Sequence, residues 1–233
     1  MDTRARALVP LFLCWCVAAS AHAQPRPATR LRVDSMAGLK VEGGKAEAVT
    51  YRGRKALRIV QNDSAFSPAF QAKDYPMALF VGSDFHDGTI ETELAGKPAA
   101  GADTSARGFV GLVFRSAGDG SRFECFYLRP TNGRADDQLR RNHSTQYIAH
   151  PGYPWQKLRT ETPGKYESYA DLESGAWTKV KIEVSGSRAK LYVNGAAQPA
   201  LIVNDLKNGD SRGMIGLWVG SGTEAYFTDV VVR

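Results

Sequence analysis

The chain has 233 residues, 43% hydrophobic, 10% aromatic and 23% charged, with a formal net charge of +6. That apolar content excludes an intrinsically disordered chain, and three cysteines are too few for a disulfide-stapled scaffold. Its 30 Lys and Arg are scattered along alternating segments, not gathered on one helix, so no nucleic-acid partner is expected, whereas an acidic ligand or an anionic cell surface suits the basic balance.

Residues 1–23 read as a secretory signal. Arg4 and Arg6 precede the apolar run Ala7 to Ala18, and Ala21-His22-Ala23 is an A-x-A cleavage signature. The run is too short to cross a bilayer as a helix. The residues before Cys14 and Cys16 are too large for a lipobox. The expectation is a secreted or periplasmic chain of 210 residues, cleaved after Ala23, of net charge +5 and with no stable membrane insertion. It keeps Cys125 alone, so it has no intramolecular disulfide, and an apolar strand makes Cys125 a small buried hydrophobe.

Beyond residue 23, short runs of period-two alternation recur between Gly, Asn, Asp and Pro, the pattern of an all-β sandwich or barrel. Ala46–Tyr51 and Lys55–Val60 flank a turn at Arg52-Gly53-Arg54. Ala78–Val81 is a short buried run. Thr89–Leu94 puts Ile90, Thr92 and Leu94 on one face and Thr89, Glu91 and Glu93 on the other, and Gly96–Thr104 reads as a loop. Gly108–Arg115 and Phe123–Arg129 form a hairpin through Gly118-Asp119-Gly120, whose length leaves the register open. Either Glu124 or the pair Tyr127 and Arg129 faces outward; Tyr127 and Arg129 are expected on the wet face, the alternative being an ion pair of Glu124 with an Arg at the core edge.

Trp177–Val184 alternates Val180, Ile182 and Val184 against Lys179, Lys181 and Glu183. It turns at Ser185-Gly186-Ser187, and Ala189–Val193 returns to Asn194-Gly195, a strong hairpin signal. Leu201–Val203, Gly213–Val219 and Ala225–Val232 add three strands, for about a dozen in all. Gly111, Gly213 and Gly216 inside strands mark bulges or close backbone approach. The expected organisation is a signal at 1–23 and a single two-sheet antiparallel jelly roll at 24–233, with a long loop segment at 130–170.

That segment holds Asp136, Asp137, Arg140, Arg141, His143, Tyr147, His150, Tyr153, Trp155, Tyr166 and Tyr169. Aromatic platforms with Arg and Asp partners suit the apolar faces and hydroxyls of sugars. A carbohydrate is therefore the expected ligand, bound in a groove on the concave sheet face beneath this segment, with Arg115, Tyr127, Arg129, Arg140, Arg141, Tyr147, Trp155 and Tyr166 as its contacts. His143 is a candidate base. Glu91 and Glu93 share a strand face about 7 Å apart, a separation usable for acid/base work on a glycosidic bond; the competing reading is two solvated side chains. Glu124 and Asp137 complete the candidate carboxylates. Asp136-Asp137 could take a hard cation such as calcium, while His143 and His150 show no metal spacing.

Trp177–Val184 through Leu191-Tyr-Val-Asn-Gly195, with Phe85–Glu93, Gly108–Arg115 and the closing Gly213–Val232, resembles the concanavalin A-like lectin/glucanase superfamily, and within it the secreted 3-keto-disaccharide hydrolase and LamG-like group. The resemblance implies a jelly roll that either cleaves a glycoside, binds one without turnover, or serves as a cell-envelope module. The Glu-x-Asp-x-x-Glu strand of glucanases of this fold is absent. For a 3-keto sugar, the resemblance implies that the ketone acidifies the C2 hydrogen, so that a single base such as His143 could remove it and expel the C1 substituent.

Overall fold

A computed structural model describes residues 27–61 and 76–233; the predicted signal segment lies outside them. Sixteen strands are present among the described residues: β1 (Thr29–Leu31), β2 (Leu39–Glu42), β3 (Gly44–Tyr51), β4 (Arg54–Gln61), β5 (Met77–Phe80), β6 (Gly88–Pro98), β7 (Val110–Ser116), β8 (Phe123–Leu128), β9 (Thr145–His150), β10 (Glu167–Ser168), β11 (Thr178–Ser185), β12 (Arg188–Val193), β13 (Leu201–Val203), β14 (Met214–Val219), β15 (Thr223–Phe227) and β16 (Val230–Val232). They build two antiparallel sheets. A nine-stranded sheet runs β13-β12-β11-β6-β15-β4-β3, with β16 on β6 and β1 on β16. A seven-stranded sheet runs β10-β9-β8-β7-β14-β5-β2.

Alternation decides which side chains meet between the sheets. From the nine-stranded sheet come Leu57, Ile59, Ile90, Leu94, Ile182, Leu191, Ala225 and Phe227, all buried. Directly paired residues share a face. Val110, Leu112 and Phe114 therefore stand with Leu128, Phe126 and Glu124 on β8 and with Val219 and Leu217 on β14. Val110 identifies this as the core side, because a Cβ on Gly96 of β6 would lie 2.7 Å from its Cγ1. Gly111, Val113, Cys125, Tyr127, Gln146, Ile148 and Trp218 consequently occupy the opposite, outer face of the seven-stranded sheet. Cys125 is buried there, beneath other chain segments.

Turn chemistry fixes the hairpins. Arg52 (φ 46°) and Gly53 (φ 77°) close β3 onto β4 with Tyr51 opposite Arg54, the left-handed pair that a two-residue hairpin loop needs. Asn194 and Gly195 are also left-handed, but the paired residues of β12 and β13 nearest the turn are Leu191 and Leu201, so this turn sits inside a wider loop and is not itself the hairpin connection. The run expected over Ala225–Val232 breaks at Thr228 and Asp229. The Asp229 carboxylate accepts the Val33 N–H at 3.0 Å there, and β15 and β16 go on to pair with different stretches of β6. β6 extends through Pro98, past the expected loop start, because Gly96, Lys97 and Pro98 continue the ladder with Ala225, Glu224 and Thr223 of β15. Val81 lies just beyond β5 and is exposed, not buried as expected.

The largest correction concerns residues 130–170. They are mostly ordered elements, not a loop: a 3-10 turn at Pro130–Asn132, helix α1 (Gln138–Asn142), β9, helix α2 (Trp155–Glu161) and β10. Strand β9 is buried on both faces, with β8 and β10 pairing along its edges and α2 and β13 packing against it from outside the ladder. Its Tyr147 enters the core while Gln146 and Ile148 look outward.

Candidate functional site

The outer face of the seven-stranded sheet carries a hollow of about 1310 Å³. Phe109, Tyr127, Ile148 and Trp218 line it from the sheet, and segments 99–107, 152–159 and 220–222 enclose it. Its geometry begins with an absent side chain. Gly111 stands opposite Tyr127 on β8 and opposite Trp218 on β14. With no Cβ between them, the two rings meet at 4.9 Å between centroids. Phe109 packs edge-on to Tyr127 at 6.2 Å.

Arg129 follows β8 and is buried at 5% exposure, its guanidinium 4.9 Å from the Tyr127 ring centroid and 5.8 Å from that of Trp155. It donates to the Tyr127 hydroxyl at 2.7 Å, Gln146 Oε1 at 3.1 Å and the His143 carbonyl at 3.0 Å. Every one of these acceptors is uncharged. Burial presses the Arg129 guanidinium below its ordinary pKa. Arg159 of α2 lies 4.6 Å from the Trp155 ring centroid and is clamped by Glu167 through both carboxylate oxygens.

His143 caps the end of α1 and lines the same hollow. Its carbonyl is held by Arg129 and, at 3.3 Å, by Asn132 Nδ2. Its Nδ1 lies 2.8 Å from Glu167 Oε2, close but poorly aligned for a hydrogen bond. Burial lowers the imidazole pKa; Glu167 opposes that, and Arg159 and Arg129 add to it. Neutral imidazole, a proton acceptor, is thereby favoured.

Of the sequence-predicted residues, Tyr127, Arg129, Arg140, His143 and Trp155 come together in the hollow. The structure takes the others elsewhere. Glu91 and Glu93 lie on the outer face of the nine-stranded sheet, beside Lys181 and Lys179, and ion-pair with Arg233 and Arg54 respectively. Glu124 is in the core, where Tyr147 and the Asn208 N–H donate to it; burial raises its pKa to about 7. It makes no ion pair within 4.0 Å among the described residues, so the core-edge alternative does not hold. Tyr147 and Tyr166 are buried, the latter donating to Asp205. Asp137 caps α1 by accepting the Arg140 N–H. Arg141 binds the Tyr169 hydroxyl. Arg115 is fully buried, donating to the His86 and Gly209 carbonyls and to Asp87.

Sequence reasoning missed Phe109, Trp218, Arg107, Arg159 and Glu167. Phe109 and Trp218 were visible only as members of apolar strands, and Arg159 and Glu167 carry no local motif. For metals, Asp136 and Asp137 gather no third side-chain ligand among the described residues, whereas His86, Asp87 and Asp210 bring ligand atoms within 4.8 Å. There the Arg115 guanidinium already sits 3.0 Å from Asp87 and 3.5 Å from Asp210, supplying the positive charge.

The two-sheet path matches solved structures. A carbohydrate-binding module, CBM66, from Bacillus subtilis superposes with a TM-score of 0.56 at 16% identity over 84% of this chain and 96% of that one. A Parabacteroides distasonis protein, provisionally named a glycosyl hydrolase, gives 0.56 at 8% identity over 89% and 98%. Peanut lectin gives 0.52 at 10% identity over 88% and 97%. The chain has the concanavalin A-like jelly-roll fold. At these identities the likeness establishes the fold of this jelly roll. No protein-family model matches the chain, and no curated protein matches its sequence.

Proposed function

We propose that this jelly roll is exported and recognises a saccharide in the hollow on its outer face. The observation that carries the reading is the convergence of the exposed Trp155 and half-buried Phe109 rings, over a floor of buried Tyr127 and Trp218, with the Arg129 and Arg140 donors in one concavity. Aromatic faces take the apolar side of a pyranose, and fixed donors take its hydroxyls. The structural neighbours named for carbohydrate binding and as a lectin support it. Asp103 is the single carboxylate lining the hollow among the described residues, so a paired-carboxylate glycosidase mechanism has no support there. Titration of the folded protein with an oligosaccharide panel, followed by tryptophan fluorescence, tests the reading. At least one member should bind, and Trp155→Ala should weaken it about tenfold or more. Failure of every saccharide to bind the folded chain overturns it.

A second reading is favoured by His143. In a 3-keto glycoside its Nε2 would accept the proton from C2, the electron pair would form the enolate, and collapse of the enolate would break the C1–O bond. The departing oxygen would take the bonding pair and then a proton. The resemblance read from the sequence and the lowered imidazole pKa support this chemistry. Formation of an unsaturated ketone from a 3-keto glycoside would establish it, and binding without product would return the protein to the lectin-like reading.

A further inference from the structure

The charged lining of the hollow is one-sided. Arg107, Arg129, Arg140, Lys157 and Arg159 face it against a single carboxylate, Asp103. Glu167 neutralises Arg159, and Glu161 approaches Lys157 at 4.0 Å. The other three guanidiniums have no carboxylate within 4.0 Å among the described residues. Arg129 donates to a phenol, an amide and a carbonyl; Arg107 to the carbonyls of Thr104 and Ala106; Arg140 Nε to Asn132 Oδ1 at 3.5 Å. Burial lowers the Arg107 pKa and repulsion from Arg140 adds to it, against the attraction of Asp103.

Holding a buried cation against neutral acceptors costs free energy, and buried charges in folded proteins are ordinarily paired. Here the cation is fixed in place by three hydrogen bonds and stacked on Tyr127, so it stays charged and aimed. A neutral saccharide would leave that charge uncompensated when it excluded water from the hollow. A ligand carrying its own anion would compensate it. Guanidinium matches a carboxylate in a planar, two-pronged geometry that an ammonium cannot reproduce.

We propose that the hollow selects an acidic saccharide, a uronate whose carboxylate is held by the Arg129, Arg107 and Arg140 guanidiniums while its ring lies on the exposed Trp155, above a floor formed by the buried Tyr127–Trp218 pair. The proposal rests on the saccharide reading above and narrows it.

The test is calorimetric titration of the folded chain with oligouronides of galacturonate, glucuronate and mannuronate backbone, their methyl esters, the neutral counterparts, and sulfated neutral oligosaccharides. The acids should bind at least about tenfold more tightly than the esters and neutral sugars, one charge-assisted hydrogen bond being worth that much. The preference should shrink with added salt. Arg140→Gln and Arg107→Gln, on half-exposed or exposed residues, should each reduce it severalfold. Arg129→Lys, checked for folding by circular dichroism, should reduce it further despite retaining the charge. Equal or tighter binding of neutral sugars or esters overturns the uronate proposal and leaves saccharide recognition standing. Preference for the sulfated sugars overturns the carboxylate assignment. Binding of none of them overturns both.

Discussion

The Tyr147 hydroxyl donates to Glu124 Oε2 at 2.5 Å inside the sandwich, while the Asn208 N–H donates to Oε1 at 2.8 Å. The pair ties β8 to β9 and to the segment after β13. Burial still wins over these donors and raises the Glu124 pKa from 4.5 to about 7. An acid with a raised folded-state pKa takes up its proton more readily in the folded chain. Its stabilising contribution is complete below pH 4.5 and is lost as pH rises through about 7. Denaturant unfolding at fixed ionic strength between pH 4.5 and 8 should show a fall on the order of 3 kcal/mol from this group. His143 acts in the opposite sense, because its lowered pKa makes the folded state gain as pH rises toward 6.5. The difference between wild type and Glu124→Gln isolates the carboxylate: the variant should lack the downward slope. An unchanged slope in the variant would place the titration elsewhere.

If His143 is a base, its protonation blocks the reaction at low pH. Its imidazole is held below 6.5, so the rate on a 3-keto glycoside should rise with pH and level off before neutrality. His143→Gln should lower kcat by a factor of about 10² or more with affinity for the same sugar retained. A wild-type pH profile and rate in that variant would remove His143 from the chemistry.

Arg115 was legible as a residue of interest but not as what it is. It lies in the left-handed region at φ 53°, where the pairing of β7 with β14 slips between Met214 and Gly216. Its guanidinium ties the turns around His86 and Gly209 to the end of β7. Arg115→Met would leave two carbonyls without donors and should cost about 2–4 kcal/mol, seen as a lowered denaturation midpoint. Saccharide affinity should not change, since Arg115 does not line the hollow. Weakened binding without loss of stability would contradict that division.

How far the sequence could be read follows from period. The alternation of Ile90, Thr92 and Leu94 against Glu91 and Glu93, and of Val180 to Val184 against Lys179 to Glu183, reports a sheet with one wet face, so the fold class was readable. β9 was not, because Thr145–His150 is covered on both sides and carries Gln and His where a strand usually shows aliphatics. The site was half readable. Tyr127, Arg129 and Trp155 were named from residue type, but their convergence with Phe109 and Trp218 depends on cross-strand register across Gly111, and register is a non-local property.

Gly111 therefore offers the sharpest test of the floor of the hollow. A Cβ there would stand 2.4 Å from the Phe126 carbonyl oxygen and 2.6 Å from Tyr127 Cβ, atoms of β8 itself that no rotamer change can move aside. Gly111→Ala must open the β7–β8 pairing locally, at a cost of about 1–3 kcal/mol. It should also separate the Tyr127 and Trp218 rings and disturb Arg129, whose guanidinium rests on Tyr127. Measured where the variant is still fully folded, saccharide affinity should fall about tenfold, with a shift in tryptophan emission from Trp218. Valine at the neighbouring core position Leu112, which faces away from the hollow, should lower stability by a similar amount and leave affinity untouched. Equal loss of binding in both variants would trace the effect to general loosening of the sheet, and unaltered binding in Gly111→Ala would show that the Tyr127–Trp218 floor does not shape the binding site.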